Sequence, residues 1–238
     1  MAARFNCKKR ISFMDRVNVI GLGGIGGMLV GPLCRYLNFS EGQTDVVLID
    51  GDRFEKSNGD RQDISFGGVG RYKAEMWKQR LVADFTANLS SIEEFVKPDN
   101  IGRLVVDGDT VMLCVDNHAT RKLVQDHCAR LRNTVLISGG NDYHDGNVQI
   151  FVKRNGRTLS PPLTRYHPEI ASPRDKRPDE IGCDEEVESS PQLLFANMTA
   201  ASLMLNAFYA IRQGNMKYNE VYFDITKNLT MTRARKTA

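Results

Sequence analysis

Val17-Asn18-Val19-Ile20-Gly21-Leu22-Gly23-Gly24-Ile25-Gly26 is the stretch that decides the fold. Residues 17–20 are an apolar run suited to a buried parallel strand. A glycine turn follows, and residues 26–37 carry Met28, Leu29, Leu33 and Leu37 near one helical face. Strand, glycine turn and helix form the setting in which GxGxxG has a physical meaning. Gly21 permits the tight turn, Gly23 lets a phosphate approach the backbone, and Gly26 lets helix and strand pack closely. The helix N-terminus offers free N–H groups and the positive end of its dipole, so an anion is favoured there.

Outward from this turn, residues 45–49 (DVVLI) read as a second buried strand. Asp50 follows, 24 residues past Gly26, where a ribose-binding carboxylate belongs. Residues 50–72 are polar and loop-rich. Lys73 to Asn88 reads as an amphipathic helix carrying Ala74, Met76, Trp77, Leu81 and Phe85. Residues 110–115 form a further strand, 118–131 a helix, and 134–138 a strand closed by Gly139 and Gly140. Such alternation implies an α/β fold, a Rossmann-like and mostly parallel sheet with helices on both faces. Beyond Gly140 the pattern changes. Residues 146–153 alternate as an antiparallel strand does. Residues 155–190 form a long irregular connection rich in proline and charge, 191–213 a long apolar helix, and 219–232 two short strands around a turn near Lys227 and Asn228. Residues 1–238 are therefore expected to make one domain, with 17–140 as its nucleotide-binding half and 141–238 as an antiparallel extension.

Hydrophobic residues make up 41% of the chain and charged residues 26%, the balance of a globular protein with a proper core. The net charge of +3, with basic residues spread among acids, gives no nucleic-acid footprint. No apolar run reaches the roughly 18 residues of a membrane span. The polar, basic N-terminus lacks the apolar core of a secretory signal. Cys7, Cys34, Cys114, Cys128 and Cys183 are odd in number and form no CxxC pair, which argues against disulfides and against zinc. The expected setting is the reducing cytoplasm.

The glycine turn and Asp50 alone would suit a nicotinamide dinucleotide, and an NAD-dependent oxidoreductase is the alternative from another class. Three further features point to a triphosphate. They are Asp50-Gly-Asp52 followed by Asn58-Gly-Asp-Arg61-Gln62, then Lys73 at a helix start, then Asp116-Asn117-His-Ala-Thr-Arg121 after a strand. A nucleotidyl-transfer site needs cations and a metal-holding carboxylate around phosphates, and hydride transfer does not. Arg61 and Lys73, taken singly, read as surface charges, and only their joint spacing favours a role on phosphates. Asp116 fits either a metal ligand or the cap of the helix that follows. His118, His127, His144 and His167 show no ligand spacing and read as structural or surface residues.

In this order, GxGGxG, D-x-D, N-x-x-R-Q, Lys and D-N-x-x-x-R resemble the ThiF/MoeB/E1 superfamily, the adenylating enzymes that activate ubiquitin-like and sulfur-carrier proteins. The resemblance implies that Gly21, Gly23, Gly24 and Gly26 line the phosphates of ATP and that Asp50 binds the ribose hydroxyls. It places Asp52 near nucleotide or metal. Asn58, Arg61, Gln62 and Lys73 would contact the triphosphate, with Arg61 able to reach across a homodimer. Asp116 would hold Mg²⁺ and Asn117 would shape the adenine side. The partner would be a small ubiquitin-like (β-grasp) protein ending in Gly, with the 160–190 loop over its tail, or else a short peptide. A non-catalytic scaffold is disfavoured by intact Arg61, Lys73 and Asp116. Cys183 lies where some members form a thioester, which would add an E2-like acceptor. The acids Asp184, Glu185 and Glu186 beside it oppose thiolate formation, and an incidental loop cysteine is the other reading. The chain departs from many members in lacking zinc CxxC pairs, and Arg4 and Arg10 are candidates for an N-terminal Arg that reaches ATP.

Overall fold

The computed structural model describes residues 15–39, 43–63, 68–86, 88–181 and 192–237. The order is β1 (Arg16–Ile20), α1 (Gly24–Asn38), β2 (Asp45–Ile49), α2 (Lys73–Val82), β3 (Asn88–Ile92), α3 (Ile101–Leu104), β4 (Thr110–Leu113), α4 (His118–Arg130), β5 (Thr134–Asn141), β6 (Asp145–Arg154), β7 (Arg157–Thr158), α5 (Pro168–Ala171), α6 (Leu194–Arg212), β8 (Glu220–Asp224) and β9 (Leu229–Arg233). Among the described residues these strands build one nine-stranded sheet ordered β3-β2-β1-β4-β5-β6-β8-β9, with β7 paired to β6. Strands β1 to β5 are mutually parallel, whereas β6 to β9 are antiparallel to their neighbours. The expected mixed sheet is thus observed.

Alternate strand residues feed two cores, because successive side chains point to opposite faces. Val17, Val19, Val46, Leu48, Met112 and Ile137 meet helices α1, α2 and α6 through Leu29, Leu33, Trp77 and Met204. Ile20, Val47, Ile49, Val111 and Leu113 face the other way, onto Leu104, Val124 and Cys128 of α3 and α4. Helix α6 is long and apolar enough to cross a membrane by length and composition alone. Its buried residues, including Ala200, Met204 and Phe208, instead make it a core helix against α1 and the sheet.

Two expectations need correction. The helix from Lys73 stops at Val82 rather than Asn88, and Asn88 begins an edge strand. Asn38 Oδ1 accepts bonds from the Thr86 backbone N–H and hydroxyl, which holds this exit extended. The 155–190 connection is not irregular throughout, since it contains β7 and α5 before residues 182–191, which lie outside the described part.

Strand β1 lies between β2 and β4, so the chain's successive crossovers leave its two sides in opposite directions. That switch point opens a crevice beyond the carboxyl ends of β1 and β4, the usual ligand position in such sheets.

Candidate active site

A cleft of about 1430 Å³ occupies this crevice. Its floor is the glycine turn. Gly21 has φ +87°, a conformation that side chains strain against, and its N–H donates to Ile49 O at 3.0 Å. A Cβ on Gly26 would sit 1.9 Å from Gly21 O, so Gly26 allows the close helix–strand packing read from the sequence. Gly21, Gly23 and Gly24 line the cleft, whereas Gly26 lies behind the turn and is not part of the lining. No side chain caps α1, so its first-turn N–H groups are open to an anion. Asp50 braces the turn: its Oδ2 accepts from Leu22 N–H at 2.6 Å and its Oδ1 from Asp52 N–H at 2.8 Å. Burial pushes the Asp50 carboxyl pKa up, and Lys73 and these two N–H groups only partly counter it.

The expected cations converge on the same cleft. Lys73 Nζ is nearly buried and bonded to Asp52 Oδ2, whose own side chain is half exposed. Arg61 Nη1 donates to Ser57 O at 3.1 Å and Asp60 Oδ1 at 2.9 Å, which turns the guanidinium toward the cleft of its own chain. Asn58 closes a tight turn by accepting from Glu55 N–H at 3.1 Å, and its O accepts from the Arg61 and Gln62 N–H groups. Gln62 lies beside Gly23 with a buried Oε1 that has no partner among the described residues. Asn117, not Asp116, caps α4, through Oδ1 to Thr120 N–H at 2.8 Å. Asp116 is left exposed on the cleft wall, clear of any capping duty. Among the described residues no group of three or more His, Cys, Asp or Glu forms a ready metal cage. One free carboxylate still suits Mg²⁺, which takes one or two carboxylates and completes its shell with phosphate and water. Cys183, Arg4 and Arg10 lie outside the described residues. Burial pushes Cys34, Cys114 and Cys128 up to about 12, so these are inert core thiols.

Several neighbours were not singled out from sequence. Asn197 of α6 is fully buried, neither of its amide atoms has a partner among the described residues, and a Cβ on Gly24 would lie 2.2 Å from its Nδ2. Arg121 was visible as the end of D-N-x-x-x-R. Its buried guanidinium holds the ends of β4 and β5 together, donating to Val115 O at 2.6 Å and Gly139 O at 2.9 Å. Burial pulls its pKa down and the negative charge of Asp116 opposes this. Asp175 sits on the N-terminus of α4, accepting from His118 N–H at 2.6 Å and Ala119 N–H at 2.9 Å. His167, read as structural or surface, is buried between Glu169 at 2.9 Å and Glu220 at 2.5 Å. Arg235 and Tyr222 complete that network on Glu220.

A profile of the ThiF family matches residues 4–237. The chain belongs to the ThiF family. Similar ThiF-related proteins include a tRNA threonylcarbamoyladenosine dehydratase from Haemophilus influenzae, 28% identical over 61% of this chain and 55% of its own length. The adenylyltransferase and sulfurtransferase MOCS3 of Drosophila ananassae is 32% identical over 59% of this chain and 30% of its own length. The chain therefore spans about half or less of the curated relatives it matches. Among solved structures, Escherichia coli MccB with AMPCPP and MccA aligns over 95% of this chain and 65% of its own, with TM-score 0.71 and 17% identity. MccB with ATP gives TM-score 0.69 over 94% and 64%. At such identities the likeness establishes the fold.

Proposed function

We propose that this ThiF-family protein adenylates a C-terminal carboxylate, using ATP and Mg²⁺, and that the carboxylate belongs to a small ubiquitin-like protein ending in Gly. One observation carries the reading: an uncapped helix start behind Gly21, Gly23 and Gly24 shares a cleft with Lys73, Arg61 and a free Asp116. That array suits a triphosphate and is surplus to hydride transfer. The adenylyltransferase named among the relatives and the MccB structures with ATP and AMPCPP support it.

The attacking carboxylate has a pKa of roughly 3.3–3.7 and is ionised near neutral pH, so no general base is required. Its oxygen forms a bond to the α-phosphorus, the α–β phosphoanhydride bond breaks, and pyrophosphate leaves with the electron pair. Lys73 and Arg61 offset the charge gathering on the phosphates, and the N–H groups of α1 orient them. Asp116 would hold Mg²⁺, which supplies further charge neutralisation on the phosphate oxygens. Asp50 would accept from the ribose hydroxyls through the lone pairs that Leu22 and Asp52 leave free. Exposed Phe195, Met198 and Tyr209 on α6, with Tyr36 of α1 against Tyr209, support the further proposal of a homodimer. Sedimentation would report its mass.

ATP–pyrophosphate exchange, with a panel of Gly-ending ubiquitin-like proteins and short peptides, tests the reaction. Asp116→Ala and Lys73→Ala are each expected to lower exchange by about 10²–10³-fold. Tight NAD binding with no exchange for any partner overturns the reading. Exchange with peptides alone moves the substrate to a short peptide.

A further inference from the structure

Helices α1 and α6 lie side by side and point the same way. Asn197 meets Gly24 near their starts, and Tyr209 meets Tyr36 near their ends, so residue numbers rise together along the contact. Their positive ends therefore sit at one level, and aligned dipoles lying abreast disfavour each other. Neither start has a side-chain cap. Gln192, two residues before α6, lines the cleft together with Gly23 and Gly24. An anion in front of both ends would offset their repulsion and take up their free N–H groups.

Asn197 sits between the two starts. It is 0% exposed, and neither Nδ2 nor Oδ1 has a partner among the described residues. A buried amide left unbonded at both ends is costly, and an apolar side chain would avoid that cost. Packing alone therefore gives no reason for an amide here. Its position does. A Cβ on Gly24 would lie 2.2 Å from Asn197 Nδ2, 2.7 Å from Cγ and 3.0 Å from Oδ1. The amide nitrogen thus leads into the space that a side chain of residue 24 would fill. In a helix that space leans toward the N-terminus, because each Cα–Cβ bond tilts that way. Asn197 stands in for the side chain that Gly24 lacks, and it brings an N–H donor beside the first turn of the phosphate helix.

We propose that Asn197 is a phosphate-binding residue supplied by α6, its Nδ2 donating to a nucleotide phosphate oxygen seated on the start of α1, directly or across one water. The proposal rests on the nucleotide reading of the cleft and adds to it a donor from the antiparallel half of the chain. Gly24 is then needed for two reasons: it lets phosphate near the backbone, and it leaves room for the amide. The unbonded amide destabilises the empty protein and gains its partner on binding.

The test is calorimetric binding of AMPCPP with Mg²⁺, and of adenosine alone, to the whole chain and to Asn197→Ala and Asn197→Leu. Leu keeps the branching and heavy-atom count of Asn and removes its polarity, so empty Asn197→Leu is expected to melt no lower than the wild type. Both variants should bind AMPCPP at least about tenfold more weakly, as loss of a hydrogen bond to a charged group implies. Adenosine, which has no phosphate, should bind within about twofold of the wild type. Gly24→Ala displaces the amide and should lower both melting temperature and AMPCPP affinity. Adding Asn197→Ala to it should restore the melting temperature and leave the affinity low. Unchanged AMPCPP affinity in Asn197→Ala, an equal loss for adenosine, or wild-type affinity in the double variant overturns the proposal. AMPCPP binding needs no acyl partner. Affinity that depends on Asn197, in a chain without pyrophosphate exchange, defeats the adenylation reading and leaves the phosphate contact standing. Exchange by the wild type, with unchanged AMPCPP affinity in the variants, does the reverse.

Discussion

The parallel half and the antiparallel half of the sheet meet at one cleft, but they prepare it differently. In the parallel half most of the site's polar groups already hold a backbone or side-chain partner, with Gln62 Oε1 and the Asp116 carboxylate as exceptions among the described residues. Asp50 holds Leu22 and Asp52, Lys73 is paired with Asp52, Asn58 closes its turn and Asn117 caps α4. In the antiparallel half Asp224, Tyr222 and Glu169 are bonded, but among the described residues the side chains of Asp142 and Asp145 make no hydrogen bond and Gln149 Oε1 has no partner. The lesson is a division of labour. A rigid, prebonded frame suits phosphates, whose transition-state charge must be met by groups already in place. An open polar wall suits a chain that brings its own donors.

If the frame is prebonded, damaging its backbone should have the largest effect. Gly26→Ala puts a Cβ 1.9 Å from Gly21 O, which forces the turn off the strand. We expect a loss of about 1–3 kcal/mol in chemical denaturation and nucleotide affinity reduced beyond titration. Gly31→Ala, on the same helix, meets nothing within 4 Å beyond its chain neighbours, but Pro32 follows it and disfavours a helical residue bearing a Cβ there, which offsets the propensity gain, so stability is expected to change by less than about 0.5 kcal/mol. Should Gly26→Ala bind ATP normally, the turn is more pliable than this comparison holds.

The prebonded half was also the legible half. Gly21 to Gly26, Asp50, Lys73 and Asp116 each sit at a strand end or helix start, so a short local pattern announces them. β3 was missed because Asn88-Leu-Ser-Ser-Ile92 is an edge strand whose apolar demand is slight. Asn197 and Gly24 are 173 residues apart in sequence and yet in contact, and nothing near either one signals the other. His167 reaches Glu220 across 53 residues, and Asp175 reaches His118 across 57. The first pair forms only when α6 packs on α1, the second only when β8 joins the sheet, and the third only when the 163–181 segment reaches α4. The glycine pattern announced Gly26 too, and the structure separates it from the lining residues, since its work is packing behind the turn.

A smaller effect is expected where the antiparallel half is bonded, around His167. Burial pulls the His167 pKa down, but bonds and charge from Glu220 and Glu169 outweigh this and leave it raised above 6.5. Burial pushes Glu220 up, but bonds from His167, Tyr222 and Arg235 bring it down from 4.5 to about 2. His167 therefore contributes fully below about pH 6.5, and its share is lost as pH rises through its raised folded value. The contribution of Glu220 is present above about pH 4.5 and is lost as pH falls toward 2. Melting temperature should crest between these limits, and Glu220→Gln should flatten both flanks. Parallel pH profiles for the two proteins would remove the network from the stability of this wall.

The smallest effect concerns the seam between the halves. Asp175 belongs to the 163–181 segment, yet its carboxylate accepts the first two N–H groups of α4 in the parallel half. Asp175→Ala removes that cap and the charge favoured at a helix N-terminus. Asn117 still caps Thr120 N–H, so the global cost should be about 1 kcal/mol, read as a lower urea midpoint with unchanged slope. The local cost is more telling. With the tether cut, the segment bearing Glu169 and Lys176 is held to the parallel half by fewer bonds, and its amide hydrogen exchange should quicken while that of β1 and β4 stays unchanged. Uniform quickening across both regions would mean that the two halves open together, and that the prebonded frame and the open wall are not separable units.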